Sequence, residues 1–174
     1  MNSGSRFGRA FHRTRMLIWM IRVLFICHGN ICRSPMAEFI FKDMVQKAGL
    51  AERFRIASAA TSREELGNDM YPPAKAILRE HGVPFSRRGA RQVTARDYDD
   101  YDWLILMDEN NRRNLRRILP NDPDRKIHAL LSFAGLDRGI SDPWYTDDFD
   151  AAYADVVLGC TAFFDYLKQT GDLA

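Results

Sequence analysis

From residue 22 onward the chain alternates between short apolar runs and longer amphipathic stretches. Residues 22–27, Arg-Val-Leu-Phe-Ile-Cys, are a continuous run of strand formers, the pattern of a strand buried on both faces. In residues 34–49, Met36, Phe39, Ile40, Met44 and Val45 recur near helical spacing, with Pro35 suited to a first turn and Gly49 to a stop. Residues 54–60 read as a second strand, and residues 71–82 as a short helix ended by Gly82. A strand at 102–108 precedes a helix at 109–119 that Pro120 closes, and a fourth strand is expected over 126–133. From Asp148 to Lys168, Val156, Val157, Cys160, Phe163, Phe164 and Leu167 make one apolar face of a last helix. This βαβαβαβα alternation predicts a parallel sheet covered by helices on both sides. In such sheets ligands bind outside the carboxyl ends of the strands, and the segment 28–34 leaves the first strand at that end.

No repeat or internal linker interrupts the pattern, so 174 residues make one domain with a tail. The net charge of +2 is unevenly spread: residues 1–20 hold Arg6, Arg9, Arg13 and Arg15 and no acid, which leaves the rest at −2. The body therefore lacks the basic bias of a nucleic-acid-binding surface. The apolar stretch 16–21 within and just after the arm is too short to span a membrane, which takes ~20 residues, and no small-residue cleavage site follows it. Residues 1–20 are read as a basic, poorly ordered extension, and 21–174 as the folded domain. Three cysteines, an odd number with two of them close neighbours, do not suggest a secreted disulfide framework; a reducing cytoplasm fits better.

The candidate chemistry lies in residues 27–34, Cys-His-Gly-Asn-Ile-Cys-Arg-Ser. Gly29 and Asn30 tolerate a left-handed backbone, so several N–H groups can curl inward. Placed at a helix N-terminus, such a nest is an anion cradle of phosphate size. Arg33 can grip two phosphate oxygens in a planar fork. Cys27 would sit beneath, where the same amides stabilise a thiolate suited to phosphoryl transfer. Taken singly, Cys27 and Cys32 read as core cysteines; the whole string, with Gly-Asn and Arg-Ser at a strand–helix junction, argues otherwise. A nucleotide-binding loop would need a Gly-Lys-Ser/Thr ending that is absent, and zinc-ligand spacing is absent as well. A leaving group needs a proton, and Asp142 follows the last strand in Ser-Asp-Pro-Trp-Tyr, with Trp144 and Tyr145 as apolar walls. By itself, Asp142 reads equally well as an Asp-Pro turn.

Together, Val-Leu-Phe-Ile-Cys-His-Gly-Asn-Ile-Cys-Arg-Ser-Pro-Met-Ala-Glu and Ser-Asp-Pro-Trp-Tyr resemble the signature and acid loop of the low-molecular-weight protein tyrosine phosphatases. The resemblance runs from about residue 21 to the C-terminus. It implies Cys27 as nucleophile, Arg33 as phosphate clamp and Asp142 as general acid and then base. It also implies that Ser34 donates to the thiolate, and that Asn30 is left-handed and braced by Ser58 and His81. Cys32 would protect Cys27 from over-oxidation through a reversible disulfide, and Cys160 would be core. Members that prefer phosphoarginine resemble this chain but carry threonine at the position of Ile31. Two departures concern the cleft mouth: Glu64 stands where many relatives have tryptophan, and His28 where a small or aliphatic residue is frequent.

The resulting expectation is a flavodoxin-like doubly wound α/β fold with four parallel strands in order 2-1-3-4. The expected function is hydrolysis of phosphotyrosine in proteins through a phosphocysteine, without metal or organic cofactor. Partners would be phosphotyrosine proteins, with no nucleic acid, no membrane span, and a monomer or weak self-association. Two rivals are an arsenate reductase on the same scaffold, which needs further cysteines near the pocket, and a silent phosphotyrosine-binding protein.

Overall fold

The computed structural model describes residues 19–173. Four parallel strands, β1 (Ile21–Cys27), β2 (Phe54–Ala60), β3 (Trp103–Leu106) and β4 (Ile127–Ala129), pair in the order β2-β1-β3-β4. The central β1 is apolar without alternation because both of its faces are covered. Val23, Phe25 and Cys27 enter the core on one side, Leu24 and Ile26 the core on the other.

The larger core lies under α1 (Arg33–Lys47), α2 (Pro72–Glu80) and the 21-residue α6 (Phe149–Gln169). Phe41 is its centre, stacked on Phe163 at 5.3 Å and edge-on to Phe25 at 5.7 Å. Val156, Cys160, Phe163 and Leu167 are fully buried, the expected face of the last helix. That helix runs tight over the end of β4 because a Cβ at Gly159 would come within 2.5 Å of Leu130 Cγ. The smaller core lies on the other face, beneath the short α3 (Asp97–Asp100) and α4 (Glu109–Leu115).

The expected strand over 126–133 is cut short. β4 ends at Ala129, and Leu130–Ala134 form a 3₁₀ turn stopped by left-handed Gly135. Leu130 and Leu131 are both buried in the same core, which the two-residue alternation of a strand does not permit. α3 and the four-residue α5 (Pro143–Thr146) were not anticipated; each is a single turn without apolar periodicity. Of the basic arm only Trp19 and Met20 are described, both exposed, and its arginines lie outside the described residues. No described helix is long and apolar enough to cross a membrane.

Candidate active site

The register pairs Cys27 with Ala60 on β2 and Ile26 with Leu106 on β3, so the loops after these strands converge beside residues 28–32. α1 begins at Arg33 with no side-chain cap and no acid in its first turn. Its first-turn N–H groups and the positive end of its dipole thus face the loop with no carboxylate of the helix's own first turn to offset them.

Asn30 is the hub of that loop. Its backbone is left-handed (φ 59°) and its side chain is fully buried. Its N–H donates to Cys27 Sγ at 3.3 Å, and its Nδ2 donates to Ser34 Oγ at 2.8 Å and Ser58 Oγ at 2.9 Å. Ser34 Oγ is 3.0 Å from Cys27 Sγ. Ser58 Oγ in turn donates to Glu38 on α1 at 2.5 Å. Asn30 Oδ1 accepts from the Arg91 N–H at 3.2 Å and from the Arg88 guanidinium.

His81 takes no part in this brace. It ends α2, where it stacks on Tyr153 at 4.0 Å between ring centroids. The expected imidazole support is supplied instead by Arg88 and by the backbone of Arg91, whose side chain is anchored on buried Asp97 at 2.9 and 3.0 Å. Sequence reading missed both arginines because Ser-Arg-Arg-Gly-Ala-Arg carries no periodicity that assigns a face.

Arg33 is 2% exposed, and three of its five N–H donors are engaged. Nη1 donates to Asp108 Oδ2 at 2.5 Å and to the Ile140 carbonyl at 2.9 Å; Nη2 donates to Asp142 Oδ2 at 2.8 Å. Burial works against this charge, but the negative charges of Cys27, Asp142 and Asp108 outweigh it and raise the arginine's pKa. Asp108 was also missed, although its place after β3 and before α4 was legible. Its Oδ1 caps α4, accepting from the Asn111 N–H at 2.8 Å. The chain after β4 passes close by because Gly139 has no Cβ; one would lie 2.7 Å from Asp108 Cβ. Asp142 Oδ1 caps α5, accepting from the Trp144 N–H at 3.1 Å, so both orienting contacts of this carboxylate are visible.

One cleft is lined by Cys27, His28, Gly29, Ile31, Cys32, Arg33, Glu64, Glu65, Asp142, Trp144 and Tyr145. Asn30, Ser34 and Ser58 lie beneath it, so of the residues expected at the site only His81 lies apart. Burial, then the charges of Cys27 and Asp142, push the Cys32 thiol up to about 12, and burial alone raises that of Cys160 in the core. All three cysteines are free. At the mouth, His28 Nε2 and Glu64 Oε2 are 2.9 Å apart, so the two unusual residues of the sequence are partners. Trp144 packs edge-on against Tyr71 at 5.0 Å, and the Tyr71 N–H donates to the Ile31 carbonyl at 2.9 Å.

The family model for low molecular weight phosphotyrosine protein phosphatase matches residues 22–172. The chain belongs to that family. The low molecular weight protein-tyrosine-phosphatase YfkJ of Bacillus subtilis is 38% identical over 88% of this chain and all of its own. The human low molecular weight phosphotyrosine protein phosphatase is 37% identical over 82% of this chain and 93% of its own. Among solved structures of the phosphatase family, YfkJ superposes with a TM-score of 0.83 over 87% of this chain and 96% of its own. The Drosophila arginine phosphatase gives 0.77 at 31% identity, over 85% of this chain and 98% of its own. The four-strand order 2-1-3-4 is thus the phosphatase fold.

Proposed function

We propose that the protein is a protein tyrosine phosphatase in which Cys27 is the nucleophile, Arg33 the phosphate clamp and Asp142 the general acid and base. The observation that carries this reading is the setting of Cys27 Sγ. It lies at the base of an anion cradle, with the Asn30 N–H at 3.3 Å and Ser34 Oγ at 3.0 Å, next to a buried arginine. Donors aimed at a sulfur stabilise its thiolate, which is the attacking form.

The phosphate of the substrate enters over the loop amides and is gripped by the Arg33 N–H groups that the two carboxylates leave open. Cys27 Sγ attacks phosphorus in line, the bond to the phenolic oxygen breaks, and Asp142 gives that oxygen its proton. In the second half Asp142 takes a proton from water, the water oxygen bonds to phosphorus, and the sulfur–phosphorus bond breaks. Inorganic phosphate leaves and the thiolate is restored. The residues needed for both halves are side chains and backbone of this chain, so no metal or organic cofactor is required.

An arsenate reductase would need a relay of thiols, and the third cysteine, Cys160, is fully buried in α6. We read the chain as cytoplasmic, on its three free thiols, and as a monomer or weakly self-associating protein that acts on phosphotyrosine proteins. Residues 1–20 are an extension to the domain, since the family match starts at residue 22.

Hydrolysis of p-nitrophenyl phosphate tests the reading. The wild type should turn it over, and Cys27→Ser should abolish turnover while still binding inorganic phosphate, because the cradle survives. Retention of even a few per cent of activity by that variant would show the nucleophile to be elsewhere.

A further inference from the structure

Of the four hydrogen-bond partners of the Asn30 side chain, three are neutral and one, Arg88, is an ion. Arg88 reaches Asn30 from the segment between α2 and α3. Its backbone N–H is held by Asp69 Oδ1 at 3.2 Å and its Nη1 points to the Asn68 carbonyl at 3.4 Å. Asp69 Oδ2 is taken by Lys75 at 2.5 Å, so this carboxylate grips the backbone of Arg88 and not its guanidinium. Among the described residues the Arg88 side chain has no carboxylate as an ion-pair partner; its charge is delivered to a carboxamide.

That carboxamide leads to the sulfur by two routes. The Asn30 N–H reaches Cys27 Sγ directly. Asn30 Nδ2 fills an acceptor site on Ser34 Oγ, leaving the Ser34 hydrogen a choice between Cys27 Sγ at 3.0 Å and the Ala59 carbonyl at 3.4 Å. A cation on Oδ1 polarises the amide, strengthens Nδ2 as a donor, and through Ser34 strengthens the bond to sulfur; chains of hydrogen bonds reinforce one another in this way. It also opposes rotation of the side chain, which would release the left-handed backbone.

We propose that Arg88 is a positioning residue of the phosphate loop: acting through Asn30, its charge fixes the loop and directs the Asn30 N–H and Ser34 O–H onto the Cys27 thiolate. The inference rests on the reading of Cys27 as nucleophile. Burial lowers the pKa of Arg88, while the charges of Glu38, Cys27 and Asp69 work the other way. A guanidinium nevertheless keeps its proton across the whole range in which a thiolate forms, so the support does not titrate away. The other charged groups around this network are Glu38 on α1, Asp69 with Lys75, and Asp97 with Arg91. Arg33, Asp142, Glu65 and the His28–Glu64 pair face the cleft. None of these is altered by the substitutions that follow.

The test is the pH profile of Cys27 alkylation by iodoacetamide in a Cys32→Ser background, where Cys160 is buried and Cys27 alone reports. Arg88→Met removes a positive charge, so the thiolate is less favoured and the profile should move to higher pH. The shift should stay within about one pH unit, the low end for an opposite charge in direct contact, because Arg88 acts through Asn30, with alkylation on the acid side slowed by up to about tenfold. Arg88→Gln keeps a donor for Asn30 Oδ1 without the charge and should shift similarly; it also serves if the methionine variant folds poorly. Arg88→Lys keeps the charge and should recover most of the shift, and the acid limb of kcat/KM for p-nitrophenyl phosphate should follow in each case. An unmoved profile in the Gln and Met variants, or a lysine variant as displaced as the neutral ones, would overturn the proposal. Alkylation needs no turnover, so a wild type without phosphatase activity would sink the functional reading and leave the Arg88 result standing on its own.

Discussion

At the floor of the cleft Cys27, Asn30, Arg33 and Ser34 are each at most 3% exposed; the polar groups of Cys27, Asn30 and Ser34 are tied to one another, and Arg33 to Asp108, Ile140 and Asp142. At the mouth, Tyr145 is 80% exposed, and the Glu64 side chain is 70% exposed with a single imidazole for a partner. Hydrogen bonds in a low dielectric are strong when made and expensive when broken, whereas exposed ones are traded readily for water. The floor is therefore committed to one reaction, and the mouth is free to vary with the substrate. Changes at the floor should cost orders of magnitude in rate, changes at the mouth only factors in selectivity.

Asp142 joins the two regions, bonded inward to Arg33 and outward to the Trp144 N–H, and its loss should have the largest effect after that of the nucleophile. General acid catalysis contributes roughly 10²–10⁴-fold, and Asp142→Ala should lose kcat on phenyl phosphate within that span. Phenol has a pKa of about 10 and leaves poorly without a proton, so the deficit should shrink along a series of aryl phosphates with more acidic leaving groups. A deficit independent of the leaving group would assign the acid to another residue.

Asp108 lies wholly on the floor side and has two duties, the cap of α4 and the inner contact of Arg33. Asparagine caps a helix as well as aspartate, so Asp108→Asn separates them. We expect little change in thermal stability but a kcat/KM lower by roughly 10–100-fold, since an ångström of misplacement at a reacting centre can cost about 10². Wild-type kinetics in this variant would mean that Ile140 and Asp142 suffice to aim Arg33.

The same contrast explains what the sequence made legible. β1 and α6 could be placed because each buries an unbroken apolar run or face, and the 27–34 segment because a nest, a clamp and a thiol must be adjacent in the chain. Partners brought in from a distance left no such trace. Arg88 contacts the loop across 58 residues and Asp108 contacts Arg33 across 75; nothing local distinguishes Arg88 from a solvated charge, and Asp108 offered only its place after β3. The misassignment of His81 has the same root: its residue type suited the role, but α2 turns it toward Tyr153 on α6. Residues 130–134 misled for another reason. Leu130 and Leu131 look like a strand by composition, and only their packing into one core beneath α6 shows that both turn to one side.

The smallest effect expected concerns selectivity, and it turns on Ile31. This residue lines the cleft, is 8% exposed, and is tied through its carbonyl to Tyr71 and hence to Trp144. Its branched apolar side chain suits the flat face of a phenol ring, with Trp144 and Tyr145 as further walls. The guanidinium of phosphoarginine would find no acceptor on it. The carboxylates nearby are engaged, Glu64 with His28 at 2.9 Å and Glu65 with Asn68 at 2.6 Å. Leaving a buried donor unpaired costs roughly 1–3 kcal/mol, so phosphotyrosine should be preferred over phosphoarginine. Phosphoserine should be poorer still, because its short stem cannot bring the phosphate to the cradle. Ile31→Thr supplies a hydroxyl acceptor and should raise the ratio of kcat/KM for phosphoarginine over phosphotyrosine by about tenfold, the equivalent of one such bond. Measuring both substrates on both proteins decides it: a wild type that favours phosphoarginine, or a ratio that the threonine leaves unmoved, would place selectivity elsewhere in the mouth, with the His28–Glu64 pair the next residues to change.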